Sequence, residues 1–332
     1  MKTFLRLFCI LGVSIICSCS SVVPVRLGVM RPARVSYQKV SPPLVVVCNS
    51  FIPDVSTHSR YIDENGKQFR MNFIGDSIPS YFTASLATRL YESACFDSVQ
   101  VVFPDSVDIT GNRGITIDTS DSDNVYIAVN EVLPTATFRV DAFDGVYSVW
   151  LEIASITAVQ CFVPGRTPVT EYVSDTLNWY AYGDTPKGAR LEIPPFEVCL
   201  EDALSELSAR VSERFVPHVE SVERYLFVTA HPAMQDALKF WQRQQYNEAS
   251  YLWEYVYEKA NNKGRRASAA ANLALFYELR DDYETALRFA QSAYGLFIDS
   301  HEVDKADYMA AYCDDLQLRV TDAFLLDMQW GE

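Results

Sequence analysis

The chain has 332 residues, with 43 acidic side chains against 28 basic ones and a net charge of −15. Its length predicts two domains, and a hydrophobic fraction of 49% with 21% charged residues supplies a sizeable core and excludes wholesale disorder. So acidic a chain repels phosphate backbones, which excludes nucleic acid as a partner class.

The N-terminus reads as an address. Lys2 and Arg6 precede an apolar run over 7–16, too short to cross a bilayer. The run ends in Ile16-Cys17-Ser18-Cys19, followed by Ser20 and Ser21. An aliphatic residue at −3 and a small one at −1 before Cys19 resemble the lipobox of bacterial lipoprotein signal peptides. Cys17 fits that pattern worse, because Ile16 stands at its −1 position. The resemblance implies a signal peptide over 1–18 and acylation of Cys19, palmitate included. Ser20 stands where an inner-membrane retention signal would carry Asp, which implies the outer membrane, facing the periplasm. No other segment approaches the roughly 18 consecutive apolar residues of a membrane helix, so the lipid is the expected membrane contact. Residues 19–43, with Pro24, Pro32, Pro42 and Pro43, read as an extended tether.

Residues 44–216 read as an α+β domain, a mixed or antiparallel sheet with two helices. The β-branched run Leu44–Cys48 predicts a buried strand. A polar loop over 52–76 leads to Ser77, a candidate N-cap, and to a helix over 78–93 with Ile78, Phe82, Leu86 and Leu90 on one face. Strands are expected at 98–103 and 125–132, separated by a turn-rich insertion. Segments 137–143, 146–162 and 169–180 are β-rich and divided by Asp144-Gly145 and Pro164-Gly165, the pattern of an antiparallel meander. A helix over 196–215 is expected to turn Val198, Ala203, Leu204, Leu207 and Val211 inward.

Residues 217–332 predict an all-α domain. Ala249 and Ala286 anchor two matching stretches 37 residues apart. One reads Ala237-x2-Phe240-x8-Ala249-x3-Trp253-x2-Val256, the other Ala270-x2-Leu273-Ala274-x2-Tyr277-x8-Ala286-x3-Ala290-x2-Ala293. Both resemble the tetratricopeptide repeat, a helix-turn-helix unit in which small residues let paired helices approach closely. Ala270 replaces that family's Trp, and no Pro closes either unit. A further amphipathic helix over 304–327 is expected to cover the open end. The chain also resembles an uncharacterised family of bacterial lipoproteins with a C-terminal tetratricopeptide pair. The likeness rests on Met30-Arg31-Pro32-Ala33, the strand at 45–49, Pro217-x4-Val222-x-Arg224-Tyr225, and the repeats. It implies an architecture and no mechanism.

Chemistry is sparse. His58, His218, His231 and His301 form no ligand spacing, and no nucleophile elbow or phosphate loop occurs, so neither metal nor cofactor is expected. Asp118, Asp121 and Asp123 lack the turn Gly and distal Glu of a calcium loop. Glu152, Glu171 and Asp175 are candidate paired carboxylates that nothing in the sequence brings together. Five cysteines lie beyond Cys19, an odd number without metal spacing; they read as buried thiols, or as one disulfide with thiols to spare. In the tetratricopeptide family the inner groove is lined by first-helix positions. Here these are Met234, Leu238 and Trp241, then Ala271, Asn272, Leu275 and Glu278. Their lack of Lys or Arg favours an apolar or amphipathic segment, with Trp241 as the anchor. The expected function is a lipid-anchored envelope scaffold that binds another envelope protein without catalysis. A glycan-binding outer-membrane lipoprotein is the alternative, and a hydrolase with an unrecognised site stands behind both.

Overall fold

The computed structural model describes residues 21–37, 41–50, 59–71, 75, 77–103, 117 and 123–330. The signal segment, Cys19, His58, Asp118 and Asp121 lie outside them. Two units are present, one built on Pro32–His218 and one on Val219–Met328 with the stretch ending at Arg31.

The tether expected over 19–43 is corrected at its start. Ser21–Arg31 is a strand, β1, paired in a two-stranded sheet with β9 (His218–Val228). Prolines mark this stretch, but an outer strand tolerates Pro24 wherever the lost N–H would face away from its partner. Its apolar residues alternate, and Leu27 and Val29 are buried.

The α+β unit is built on β2 (Leu44–Cys48), buried at every position. It is flanked by parallel partners, β5 (Val99–Val102) and β6 (Val125–Phe143), which is why its sequence is apolar throughout rather than alternating. Helix α1 (Ile78–Glu92) makes the crossover from β2 to β5 and buries Ile78, Phe82, Leu86 and Leu90. Ser77 holds the N-cap position but makes no side-chain cap bond. Part of the polar loop expected over 52–76 is instead a hairpin, β3 (Arg60–Ile62) with β4 (Gln68–Arg70). Its turn is set by the Asp63 carboxylate, which accepts from the Asn65 and Lys67 amides, and by Gly66 at φ 77°.

Strand β6 joins two segments expected to be separate. It pairs along its length with β7 (Val146–Phe162), while its other edge takes β2 over 125–129 and β3 over 137–139. Pro134 falls between those two partners, next to a bulge at Val129/Glu131. Asp144 and Gly145, at φ 50° and 80°, close the β6–β7 hairpin with the turn whose twist suits the strands. Strand β8 (Val169–Gly183) completes a seven-stranded mixed sheet among the described residues. A short helix unforeseen in the sequence, α2 (Pro186–Leu191), is capped by Thr185. Helix α3 (Phe196–Phe215) buries Ala203, Leu204, Leu207 and Val211 against the same sheet face as α1. Cys199 is buried there and Val198 is exposed, one position away from the expected inward face.

The helical unit opens with β9, a strand where only helices were expected. Then come α4 (Pro232–Gln242), α5 (Tyr246–Lys259), α6 (Lys263–Glu278), α7 (Tyr283–Asp299) and α8 (Val303–Trp330). The 37-residue repeat is visible in the backbone. Gln244 and Asp281 occupy equivalent turns, both left-handed at φ 61° and 59°, and in both turns the next amide donates back into the preceding helix. Ala237, Ala249, Ala274 and Ala286 are wholly buried, so each pair of helices closes on methyl groups.

Candidate functional site

Five of the seven residues expected to line an open groove are closed off from solvent. Met234, Ala271, Asn272, Leu275 and Glu278 are buried, while Leu238 and Trp241 are half-buried. The occupant is the β1–β9 ribbon of the same chain. Leu27 and Val29 of β1 and Leu226 of β9 share a core with Met234, Leu275 and Trp253, and Leu238 and Trp241 pack against it. The Asn272 amide accepts from the Phe227 N–H at 2.8 Å and donates to the Phe227 carbonyl at 3.0 Å, holding the strand by its backbone. Partner-binding assignments at Met234, Asn272, Leu275 and Glu278 are thereby corrected: the surface is filled in cis.

An ionic cluster locks this ribbon. Arg224 of β9 makes two 2.9 Å bonds to the Glu278 carboxylate and a third bond to Asp315. Tyr312 donates to Glu278 at 2.6 Å. Arg31 of β1 reaches Glu220, Asp322 and Asp315 at 2.6, 2.9 and 3.1 Å. Burial alone would raise the Asp315 carboxyl, but the bonds from Arg31 and Arg224 win and hold it below the usual range. Burial and the neighbouring Glu278 carboxylate push the Tyr312 hydroxyl well up, so it serves as a donor. Every partner in the cluster belongs to the helical unit, and its geometry is that of a staple.

An accessible aromatic surface with stacked rings lies on the outward face of β7 and β8. Trp150 and Tyr180 stand directly opposite in the ladder, their rings 6.2 Å apart and 11° from parallel. Along β8 every second residue points out, so Tyr172, Tyr180 and Tyr182 are 74%, 64% and 70% exposed. Polar groups edge the plate. Trp150 Nε1 donates to Asn178 Oδ1 at 3.0 Å, Glu152 lies opposite Asn178, and the Arg139–Asp141 pair begins opposite Trp150 on β6. The sequence reading missed this plate; the outward set Tyr172, Ser174, Thr176, Asn178, Tyr180 and Tyr182 was its signal.

The other candidates have structural duties. Glu171 pairs with Arg34 and Asp175 with Arg210, while Glu152 sits at the plate's edge. Cys48, Cys95, Cys161, Cys199 and Cys313 are free thiols. Burial pushes Cys161 up to about 12 and Cys199 and Cys313 up to about 11, far from nucleophilic values. His231 caps α4, accepting from the Ala233 amide, and His301 occupies a left-handed turn. Among the described residues no cluster of three or more His, Cys, Asp or Glu is placed to hold a metal, and no helix is long and apolar enough to cross a membrane.

A family model described as a domain of unknown function (DUF6340) matches residues 235–318, within the helical unit. No curated protein matches the chain. Among solved structures, the rare lipoprotein B of Shewanella oneidensis is 10% identical, with 40% of this chain and 83% of that one covered and a TM-score of 0.25. A DUF330 protein of Xanthomonas campestris is 14% identical, over 56% and 89% of the two chains, at a TM-score of 0.27. A minor lipoprotein of Acinetobacter baumannii is 11% identical, over 55% and 99%, at a TM-score of 0.26. Likenesses this slight carry no functional argument.

Proposed function

We propose that this chain is a lipid-anchored protein of the outer membrane, facing the periplasm through an acylated Cys19, and that it binds an envelope protein without catalysing a reaction. The lipobox-like Ile16–Cys19 stretch supports the anchor. The observation that supports binding is the Trp150–Tyr180–Tyr182 plate, in which Tyr180 and Tyr182 stand in solvent beside a half-buried Trp150 on one face of the sheet. Rings held by a sheet lose little conformational freedom on contact, which suits them as anchors for a partner. With the helical groove filled by β1 and β9, the binding surface moves to the α+β unit.

A second reading, glycan binding, draws on one feature. The near-parallel Trp150 and Tyr180 rings, edged by Asn178 and Glu152, offer a flat stacking surface with hydrogen-bonding groups beside it.

A photo-crosslinking side chain in place of Tyr182, in the full chain expressed in cells, separates the two. A discrete protein adduct supports the scaffold reading, and its loss in Trp150→Ala/Tyr180→Ala places it at the plate. No adduct, together with retention of the purified chain on envelope polysaccharide, moves the assignment to glycan. Cys19→Ala should release the protein from membranes; a variant that still sediments with them at high salt removes the anchor from the proposal.

A further inference from the structure

The opposite side of the sheet holds a second feature. At the end of the layer where α2 and Pro194-Pro195 precede α3, the helical cover stops short of the sheet. An open cleft of about 740 Å³ results, within the range of small-molecule sites. Its floor is apolar and aromatic: Phe138, Leu151 and Ile193 are buried, and Tyr61 stacks on Phe138 at 5.6 Å. Leu151 follows Trp150 in β7, so cleft and plate lie on opposite faces of the sheet.

Three cations line the cleft, Arg70, Lys187 and Arg190, and among the described residues no acidic side chain does. In a chain with 43 acidic residues against 28 basic ones, that local reversal sets the cleft apart. The Arg190 guanidinium lies 5.2 Å over the Phe138 ring, aligned with the floor. Among the described residues none of the three cations has a carboxylate partner, although Arg31, Arg34, Arg210 and Arg224 all do. Leu191, 75% exposed between the two basic residues of α2 and Ile193, extends apolar surface outward.

An apolar trough beside three cations without a carboxylate partner among the described residues is complementary to a ligand with one hydrophobic tail and one anionic head. We infer that the cleft binds a single-chain anionic amphiphile, its acyl tail on the Phe138–Leu151–Ile193 floor and its carboxylate or phosphate head among Arg70, Lys187 and Arg190. The shared chemistry of a fatty acid and a lysophospholipid meets this description. The site is independent of the plate, so either assignment stands without the other.

The test is calorimetric titration of the full chain carrying Cys19→Ala, without detergent. Laurate and lauroyl-lysophosphatidylglycerol are the probes, kept below their micelle concentrations; dodecanol and butyrate are the comparators. The expected result is one saturable site that takes an anionic probe about tenfold or more tighter than dodecanol or butyrate, since each comparator lacks one half of the recognition. Tighter binding of laurate assigns a carboxylate head, and tighter binding of the lysolipid a phosphate head. Lys187→Gln/Arg190→Gln, at two exposed positions, should weaken both probes about tenfold, leave dodecanol unchanged and leave the melting temperature unchanged. Trp150→Ala/Tyr180→Ala should bind both probes normally. Dodecanol binding as tightly as laurate, butyrate matching laurate, an unaffected double Gln variant, or no saturable heat would each overturn the inference.

Discussion

The ribbon-facing side of the helical unit and the outward face of the sheet are both rich in aromatic rings, and they use them in opposite ways. Where the helices meet the ribbon the rings turn inward: Trp253 is buried, Trp241 packs 5.5 Å from it, and the helices hold the β1–β9 ribbon through Asn272, Glu278 and Arg224, while Tyr251 and Tyr255 on the far side of α5 stay exposed. On the sheet, Trp150, Tyr180 and Tyr182 are supported from behind by a core that includes Leu151 and Ala181, and Tyr180 and Tyr182 are exposed in front. A repeat fold is therefore not by itself a binding groove. What decides is whether the chain supplies its own occupant, and here it does.

Removing the staple should have the largest effect. Arg224→Ala leaves the Glu278 and Asp315 carboxylates without their shared cation inside the unit. Breaking one partner of a buried pair costs about 3–5 kcal/mol, because the other charge stays desolvated. Arg224→Lys should recover only part of this, since a single ammonium cannot reproduce the two-pronged bond to Glu278. Urea unfolding of the three proteins measures the difference. Acid should act on the same cluster. Asp315 is held below its ordinary value, so its contribution is complete above the unfolded carboxylate pKa, near 4, and is lost as pH falls through the lowered folded value. The melting temperature of the natural protein should fall below about pH 4, and Asp315→Asn should flatten that fall. A wild-type curve no steeper than that of the variant would exclude Asp315 from the ribbon's support.

This cluster also shows what the sequence disclosed and what it hid. Arg31 and Arg224 were visible as parts of two loose motifs nearly two hundred residues apart, with no physical role. The structure joins both to Asp315, a pairing that no local pattern encodes. Likewise the alanine spacing disclosed the helical repeat, because close helix approach demands small residues at fixed intervals, while β9 was lost among helices. Burial along β9 is concentrated at its end, at Arg224, Leu226, Phe227 and Val228, so the strand lacks the clean alternation that marks one. The continuous strand β6 was divided in the sequence reading at Pro134, whose missing donor falls between two partner strands. Trp241, expected as an exposed anchor, is half-buried against Tyr246 and Trp253, since a hydrophobic residue at a groove position is legible as groove or core only once the occupant is known.

A middle-sized effect tests the occupant itself. Asn272→Ala removes both bonds to the Phe227 backbone and strands a buried N–H and carbonyl. Unsatisfied groups of this kind cost about 1–3 kcal/mol. Hydrogen exchange should report the loss locally, with faster exchange at Phe227 than in the sheet strands of the other unit. Uniform acceleration across both units would mean that Asn272 supports the whole chain rather than the ribbon.

The smallest stability change is expected where the functional change is largest. Tyr180 is 64% exposed, and among the described residues its one ring–ring contact is with Trp150 and no hydrogen bond to its hydroxyl is formed. An exposed side chain without a cap, buried pair or special backbone geometry changes stability by about 0.5 kcal/mol or less when truncated. The lost stacking on Trp150 adds a further 0.5–1.5 kcal/mol at most, roughly the value of an aromatic pair. Tyr180→Ala should therefore melt close to the natural protein, whereas Arg224→Ala does not. A ring that anchors a partner should cost about 2 kcal/mol of binding when removed, close to thirtyfold in affinity. The two variants thus separate along two axes, one losing stability through a filled groove and the other losing binding at an open face. A Tyr180→Ala protein that melts well below the natural one while still crosslinking at position 182 would reverse the comparison, making the sheet face a support and returning the search for a contact surface to the exterior of the helices.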